Sequence, residues 1–522
     1  MIPRSHNPMK RFAAFPLPCP LINEFTRKTI LPPQVLPDGR RIAEPEIKPD
    51  ITGDDKNILC QEDLNLKNFQ EMYKEKLRTA EEAVRIVKSG DWIDFAMFNG
   101  KPVVCDRALA ARKEELKDIN IMAAVTIPPV PEVVLKDPQG EVFTYNDQHF
   151  SLLTRILQQQ CKGVFYQPTL YGESELYMRY AQSDPSKLGT NLRDVFFCQV
   201  TPMDKDGFFN WGLHNSCCYL QATTAKACIL EVNENIPYCY GGNMERIHIS
   251  EVTYVVEGEN TPLAELPEVS PTDTDRKIAE NVLSYLKDGD CIQLGIGGMP
   301  NILGKMISET DLKDLGGWTE MLVDAYRDMY ESGRMTGKHK KFDTGKINYT
   351  FALGNKKLYE WMDHNPAIAS CSVGYVNHPT QLCQIDNLVS INQALQVDLY
   401  GQVNAESSGF KQVSGNGGMS DFVLGAYWSK GGRSFICLPS THTNKDGSVI
   451  SRIVPNFDIG SITTVTRQMV NHVVTEYGCV SLKTCPTWHR AEKLISIAHP
   501  DFRDDLIKEA EKRKIWRQSN KK

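Results

Sequence analysis

Bare backbone followed by a lone carboxylate is the equipment of covalent acyl transfer, and this chain places the two between Gly295 and Glu320. Gly295-Ile296-Gly297-Gly298-Met299-Pro300 comes first, then a helical stretch, then Leu315-Gly316-Gly317-Trp318-Thr319-Glu320. Cys291 to Leu294 is strand-like, and glycines at its end let a ligand approach backbone that a Cβ would shield. Pro300 is predicted to open a helix over Asn301 to Ser308, where its missing N–H leaves no bond unmade. A helix start collects free donors and partial positive charge, which suits an anion or a developing oxyanion. A strand-to-helix turn without a ligand is the competing reading. Glu320 follows Gly295 by 25 residues, enough for strand, loop, helix and a return to the same sheet edge. Its neighbours Trp318, Met321, Leu322 and Val323 are apolar, and a partly desolvated carboxylate is a better nucleophile than a hydrated one. The alternative is a surface helix-cap glutamate.

Ser414-Gly415-Asn416-Gly417-Gly418-Met419 forms a second glycine loop before Asp421-Phe422. Two such loops can enclose one thioester carbonyl and hold a pantetheine arm; a structural turn is the other reading. Ser390 to Gly401 reads as a buried strand running into a polar turn whose ends line the same cleft. Other chemistries fit poorly. Gly295-x-Gly297 begins a dinucleotide fingerprint, but Pro300 stands at its third glycine and no acidic residue follows at the required distance. The chain contains no G-x-S-x-G and no H-E-x-x-H, and Cys217-Cys218 reads as a packed element.

The 522 residues suffice for two large domains or about three ordinary ones. Hydrophobic residues at 41% and charged residues at 24% indicate a soluble globular protein, and no apolar stretch approaches a membrane span. A net charge of −6 argues against nucleic acid, since the one cationic run, Lys338 to Lys341, reads as a solvated loop. Fifteen cysteines without C-x-x-C spacing disfavour disulfides and zinc, so a reducing, cytoplasmic compartment is expected. The first 23 residues carry Arg4, Lys10 and Arg11 and no acid; this bias allows an organelle presequence, mitochondrial or hydrogenosomal, although prolines spoil its amphipathic helix.

Residues 1–66 are expected to be an extension rich in Pro and charge. From there the chain alternates helices with short Val/Ile/Phe-rich strands, including Asp91 to Met97, Ile119 to Val125, Ala227 to Val232, Tyr349 to Leu353 and Val473 to Thr475. Tyr73 to Lys88 is predicted helical, ending at Gly90. Ala80-Glu81, Lys88, Gly90-Asp91 and Ile93 recur 199 positions later as Ala279-Glu280, Lys287, Gly289-Asp290 and Ile292. Lys205-Asp206-Gly207 recurs as Lys445-Asp446-Gly447, 240 positions on. An internal duplication follows: two tandem α/β domains on mostly parallel sheets, 67–257 and 276–522, joined by a Pro-rich linker over 258–275, with the site at strand C-termini and the domain interface. Ala96 to Pro102 puts side chains where the second copy has bare glycine, so the C-terminal half is expected to be the active one.

Gly295 to Pro300, Thr319-Glu320-Met321, Val397 to Glu406 and Ser414 to Phe422, in this order, resemble the acetyl-CoA hydrolase/transferase family of family I CoA-transferases. The resemblance runs from about Asn68 to Trp516 and is strongest to the butyryl-CoA:acetate and 4-hydroxybutyrate CoA-transferases. It implies two tandem CoA-transferase-type domains of the kind shared with sugar-phosphate isomerases. It also implies ping-pong transfer of coenzyme A between a short-chain acyl-CoA (butyryl, acetyl, propionyl or 4-hydroxybutyryl) and a carboxylate such as acetate. Glu320 would be the nucleophile and Asn377 would stand near the reacting carbonyl. Gly295, Ile296, Gly297, Gly298 and Met299 would contact CoA, with Gly418 as backbone donor at the thioester and Leu395 as a further contact. Gln396 and Met419 depart from residues common among relatives and bear on acyl-chain preference. No cofactor beyond CoA as substrate, no metal, and a homodimer or homotetramer are implied. An acyl-CoA hydrolase and a non-catalytic CoA- or nucleotide-binding protein are the alternatives.

Overall fold

Val195–Val200 and Ala227–Val232 are buried at every position. Strands of this kind have two faces to hide, which a parallel sheet between helical layers provides. The computed structural model describes residues 69–183, 193–267 and 270–520; the expected extension, residues 1–66, lies outside them. In the first half β1 (Trp92–Phe95), β2 (Ile119–Ala123), β3 (Phe143–Asp147), β4 (Val164–Tyr166), β5 (Val195–Val200), β6 (Ala227–Val232) and β7 (Tyr254–Glu257) form one sheet. Its order is β7-β6-β5-β1-β2-β3-β4 and every pair is parallel. In the second half β8 (Cys291–Leu294), β9 (Gly316–Gly317), β10 (Leu388–Gln393), β11 (Arg433–Cys437), β12 (His472–Thr475) and β13 (Gly478–Ser481) form another. The order there is β9-β8-β10-β11-β12-β13, parallel except for the β12–β13 hairpin. The fold is therefore α/β with mostly parallel sheets, as the strand-helix alternation predicts.

The 199-residue echo is structural. Asp91 and Asp290 each accept the backbone N–H of the lysine three residues before them, at 2.8 and 2.9 Å. Gly90 and Gly289 both take positive φ, +88° and +76°, which only glycine adopts freely. The second echo is not sheet-equivalent: Lys205-Asp206-Gly207 follows β5, which pairs with β1, whereas Lys445-Asp446-Gly447 follows β11, which β10 separates from β8.

Several boundaries differ from those predicted. The expected helix Tyr73 to Lys88 breaks into Phe69–Lys76 and Ala80–Ala83. Leu77 bridges to Val255 at the sheet edge, and Thr79 with Glu82 makes a capping box that restarts the helix. Tyr349 to Leu353 splits at Thr350 into Ile347–Tyr349 and Phe351–Ala352. The Pro-rich segment is docked: Ala264 exchanges hydrogen bonds with Asn99, and a helix begins at Asp273, capped by Thr272. Lys340 is buried, donating to the carbonyls of Gly317 and Lys346, so Lys338 to Lys341 is not wholly solvated.

Gly241–Asn243 of the first half joins Ile347–Tyr349 and Ile368–Cys371 in a three-stranded parallel sheet. Among the described residues no helix is long and apolar enough to cross a membrane. A side chain at Gly241 would meet the Ser370 carbonyl and the Glu245 side chain. Gly241→Val is expected to destabilise the protein by about 2–3 kcal/mol, as overpacking does; an unchanged urea midpoint would show that this junction is dispensable.

Candidate active site

Glu320 is placed by a chain of buried anchors. β9 pairs with β8 through Cys291–Gly316 and Ile292–Gly317. Trp318, fully buried, then donates its backbone N–H to Ile292 and its indole N–H to the Val376 carbonyl at 2.9 Å. Thr319 donates to Asn348, and the Glu320 carbonyl accepts from Thr350 and Phe351. The backbone at Glu320 is thus fixed on both sides, and its carboxyl projects half-buried into a cavity.

Two donors meet that carboxyl. The Asn377 amide donates to Glu320 Oε2 at 2.5 Å from the end of α1 (Val373–Val376). The Gly418 N–H is the second, at the start of α2 (Met419–Trp428), where the helix dipole also favours an anion. Gly418 has to be glycine, because a Cβ there would overlap Glu320 Oε2 and Asn377 Nδ2. Burial nevertheless wins: it pushes the Glu320 carboxyl up from 4.5 to about 7, while Asn377 and Gly418 pull it down.

The cavity, about 760 Å³ and mostly apolar, is walled by both halves. The second half gives Gly295, Ile296, Met321 and the loop Val413 to Met419. The first half gives Met97, Phe98, Val125, Thr126, His149 and Tyr171. Phe98 and Val125 hold φ of +48° and +49°, costly for a bulky or β-branched residue. Asp147, fully buried, fixes this wall: it accepts from the N–H groups of Val125, Thr126 and His149 and from the hydroxyls of Thr126 and Thr154. Burial lowers His149 to about 4, so its imidazole is neutral at pH 7. Two cross-half carboxylates tie down both Glu320 donors. Glu175 accepts from Gly374 N at 2.7 Å, three residues before Asn377, and Asp421 accepts from Gly172 N at 2.8 Å, three residues after Gly418.

The structure brings Glu320, Asn377 and Gly418 together and sets Gly295 and Ile296 in the same cavity. Gly297 is the N-cap, with φ +121°, of a helix running Gly298–Glu309, whose first-turn N–H groups have no partner within the helix. This helix begins three residues before the predicted Asn301, because Gly297 rather than Pro300 turns the chain. Gly298 abuts Asp275, Met299 packs in the core, and Leu395 pairs its N–H with Asn404; none of the three lines the cavity. Met419 does, and Gln396 does not. Arg433 is engaged by Asp290 and the Tyr285 carbonyl. Sequence reasoning missed the first-half wall: Met97 and Phe98 stand at the strand-end positions that Ile296 and Gly297 hold 199 residues later, and that echo was the signal that both strand ends face one cleft.

Because folding raises the Glu320 pKa, stability from this group is full below pH 4.5 and is lost as pH rises through about 7. Glu320→Gln is expected to exceed the parent by up to about 3 kcal/mol above neutral pH and to match it in acid, as urea titrations at the two pH values would read. A less stable variant at high pH would mean that the pocket favours the anion.

Comparison with known proteins agrees with this geometry. The acetyl-CoA hydrolase/transferase N-terminal domain matches residues 61–267 and the C-terminal domain residues 354–510; Glu320 lies between them. The butyryl-CoA:acetate CoA-transferase of Anaerostipes caccae is 47% identical over 87% of this chain and 100% of its own length. The 4-hydroxybutyrate coenzyme A transferase of Clostridium kluyveri is 37% identical over 85% and 99%. Relatives named acetyl-CoA hydrolase stand further off, at 23–29%. Among solved structures, RipA from Yersinia pestis superposes with a TM-score of 0.77 at 34% identity, covering 86% of this chain and all of that one. Matches in both halves, with such identity across nearly whole relatives, make this chain a member of the acetyl-CoA hydrolase/transferase family.

Proposed function

We propose that the protein is a CoA-transferase moving coenzyme A between a short-chain acyl-CoA, butyryl- or acetyl-CoA foremost, and a free carboxylate such as acetate. The observation that carries this reading is one carboxyl, Glu320, held between the Asn377 amide and the Gly418 N–H on the wall of an apolar cavity. Glu320 attacks the acyl-CoA carbonyl; the C–S bond breaks, giving an acyl-glutamyl anhydride and CoA thiolate. The thiolate attacks the glutamyl carbonyl and expels the first carboxylate, leaving a glutamyl-CoA thioester. A second carboxylate attacks that thioester, and the released thiolate takes the new acyl group and frees Glu320. No bond energy is lost overall, so no ATP enters. The Asn377 and Gly418 donors are suited to the oxyanions of these steps. A neutral His149 has no acidic proton with which to quench the thiolate. Hydrolysis differs only in water reaching the thioester; the greater distance of the hydrolases favours transfer.

We further assign a reducing compartment, the cytoplasm, since the thirteen described cysteines are free thiols. We assign a homo-oligomer as well, with Phe410 and Ile459, each 86% exposed, as candidate contacts.

Incubation with acyl-CoA and borohydride, then mass spectrometry, is expected to find a reduced thioester at Glu320. Modification elsewhere, or none, removes the carboxylate from the chemistry. Gly418→Ala keeps the N–H, but its Cβ would displace Glu320 Oε2 and Asn377 Nδ2 from that donor, and it is expected to lower kcat by roughly 10²–10³, as loss of one oxyanion donor does. Transfer needs ionised Glu320, so kcat/KM should fall below about pH 7; a flat profile down to pH 5 would contradict that assignment.

A further inference from the structure

Behind the catalytic cavity lies a second chamber of about 160 Å³, bounded by the ends of β2 and β4 and by the helix Ser174–Ser183. Gln148 and Thr169 form a wall common to both spaces. A void of about 20 Å³ also touches both: Met97 and Tyr171 on the catalytic side, Cys217 and Gln221 on the other.

The chamber is more polar than the catalytic cavity, and several of its polar groups are unspent. Ser174 is 5% exposed with its hydroxyl buried and unpaired, and Gln167 Oε1 is unpaired too. The Gln221 side-chain amide has no protein partner among the described residues. Arg193, 7% exposed, gives Nε to Asp94. Its two terminal amino groups have no partner among the described residues. A planar guanidinium with two free donors, flanked by hydroxyl and amide groups, matches the two oxygens of a carboxylate. Asp94 already offsets the charge of Arg193, so such a site binds by directed hydrogen bonds and releases readily.

This inference rests on the transfer reading. While CoA is bonded to Glu320, a pantetheine arm lying along the glycine loops would fill the mouth, yet one carboxylate has to leave and another arrive. We propose that the Arg193 chamber is the holding site for the free carboxylate substrate, with Ser174 and Gln221 completing its shell and the gap beside Tyr171 leading to Glu320.

Arg193→Lys keeps a cation beside Asp94 but removes the fork; Gln221→Leu keeps the bulk and removes the amide. In Arg193→Lys the KM for acetate is expected to rise about tenfold or more, the worth of one charge-assisted hydrogen bond, and in Gln221→Leu to rise several-fold. The KM for acyl-CoA and the yield of enzyme–CoA thioester from acyl-CoA alone are expected to stay at parent values, which also reports folding. An unchanged acetate KM in both variants overturns the chamber and leaves transfer standing. A joint fall in thioester yield and kcat, with acetate KM constant, marks Arg193 as structural and overturns it as well. Absence of thioester in the parent protein would instead remove the transfer reading.

Discussion

A carboxylate withdrawn from water loses far more than two hydrogen bonds return. Glu320 lives with that deficit: its pKa near 7 measures how far Asn377 and Gly418 fall short of solvent. The nucleophile is thereby divided between its neutral and charged forms near neutral pH, and its charged form is poorly solvated. Everything nearby serves to keep the two donors and no others within reach. Trp318 locks the strand end and grips the turn before Asn377; the missing Cβ at Gly418 leaves its N–H room to reach the oxygen.

The same balance explains why the first half matters although none of its described residues gives a hydrogen bond to Glu320. Its segment Tyr171 to Glu175 contributes one amide and one carboxylate, each caught by the element that carries a Glu320 donor. Its loop at Val125 is forced into a rare backbone region by a single buried aspartate with five donors around it. Such over-determined strain is characteristic of functional walls.

Much of this was legible in the sequence. Gly295 to Glu320 betrayed strand, helix and return because glycine and proline punctuate locally, and the family motifs marked Asn377 and Gly418. What could not be read was where side chains converge across the two halves. Met97 and Phe98 looked like a lapsed copy of the glycine turn, since nothing local says that both strand ends point at one space. Asp147 and Asp421 were anonymous acids, as their partners lie at or beyond the next turn of a distant element. Lys340 resembled its solvated neighbours because only tertiary packing over Trp318 distinguishes it. Helix starts slipped by a turn where capping, not composition, decided them.

The strand Gly241–Asn243 carries a consequence for motion. It is woven into a sheet whose other two members belong to the opposite half, and its ladder continues through Tyr240 to Ser370 and Asn243 to Ser372. Halves stitched in this way cannot swing open like a clam about the Pro-rich segment without rupturing backbone ladders. The Val413 to Gly418 loop and the Leu152–Gln160 helix, which line the cavity and take no part in those ladders, are the stretches of its wall left outside that constraint.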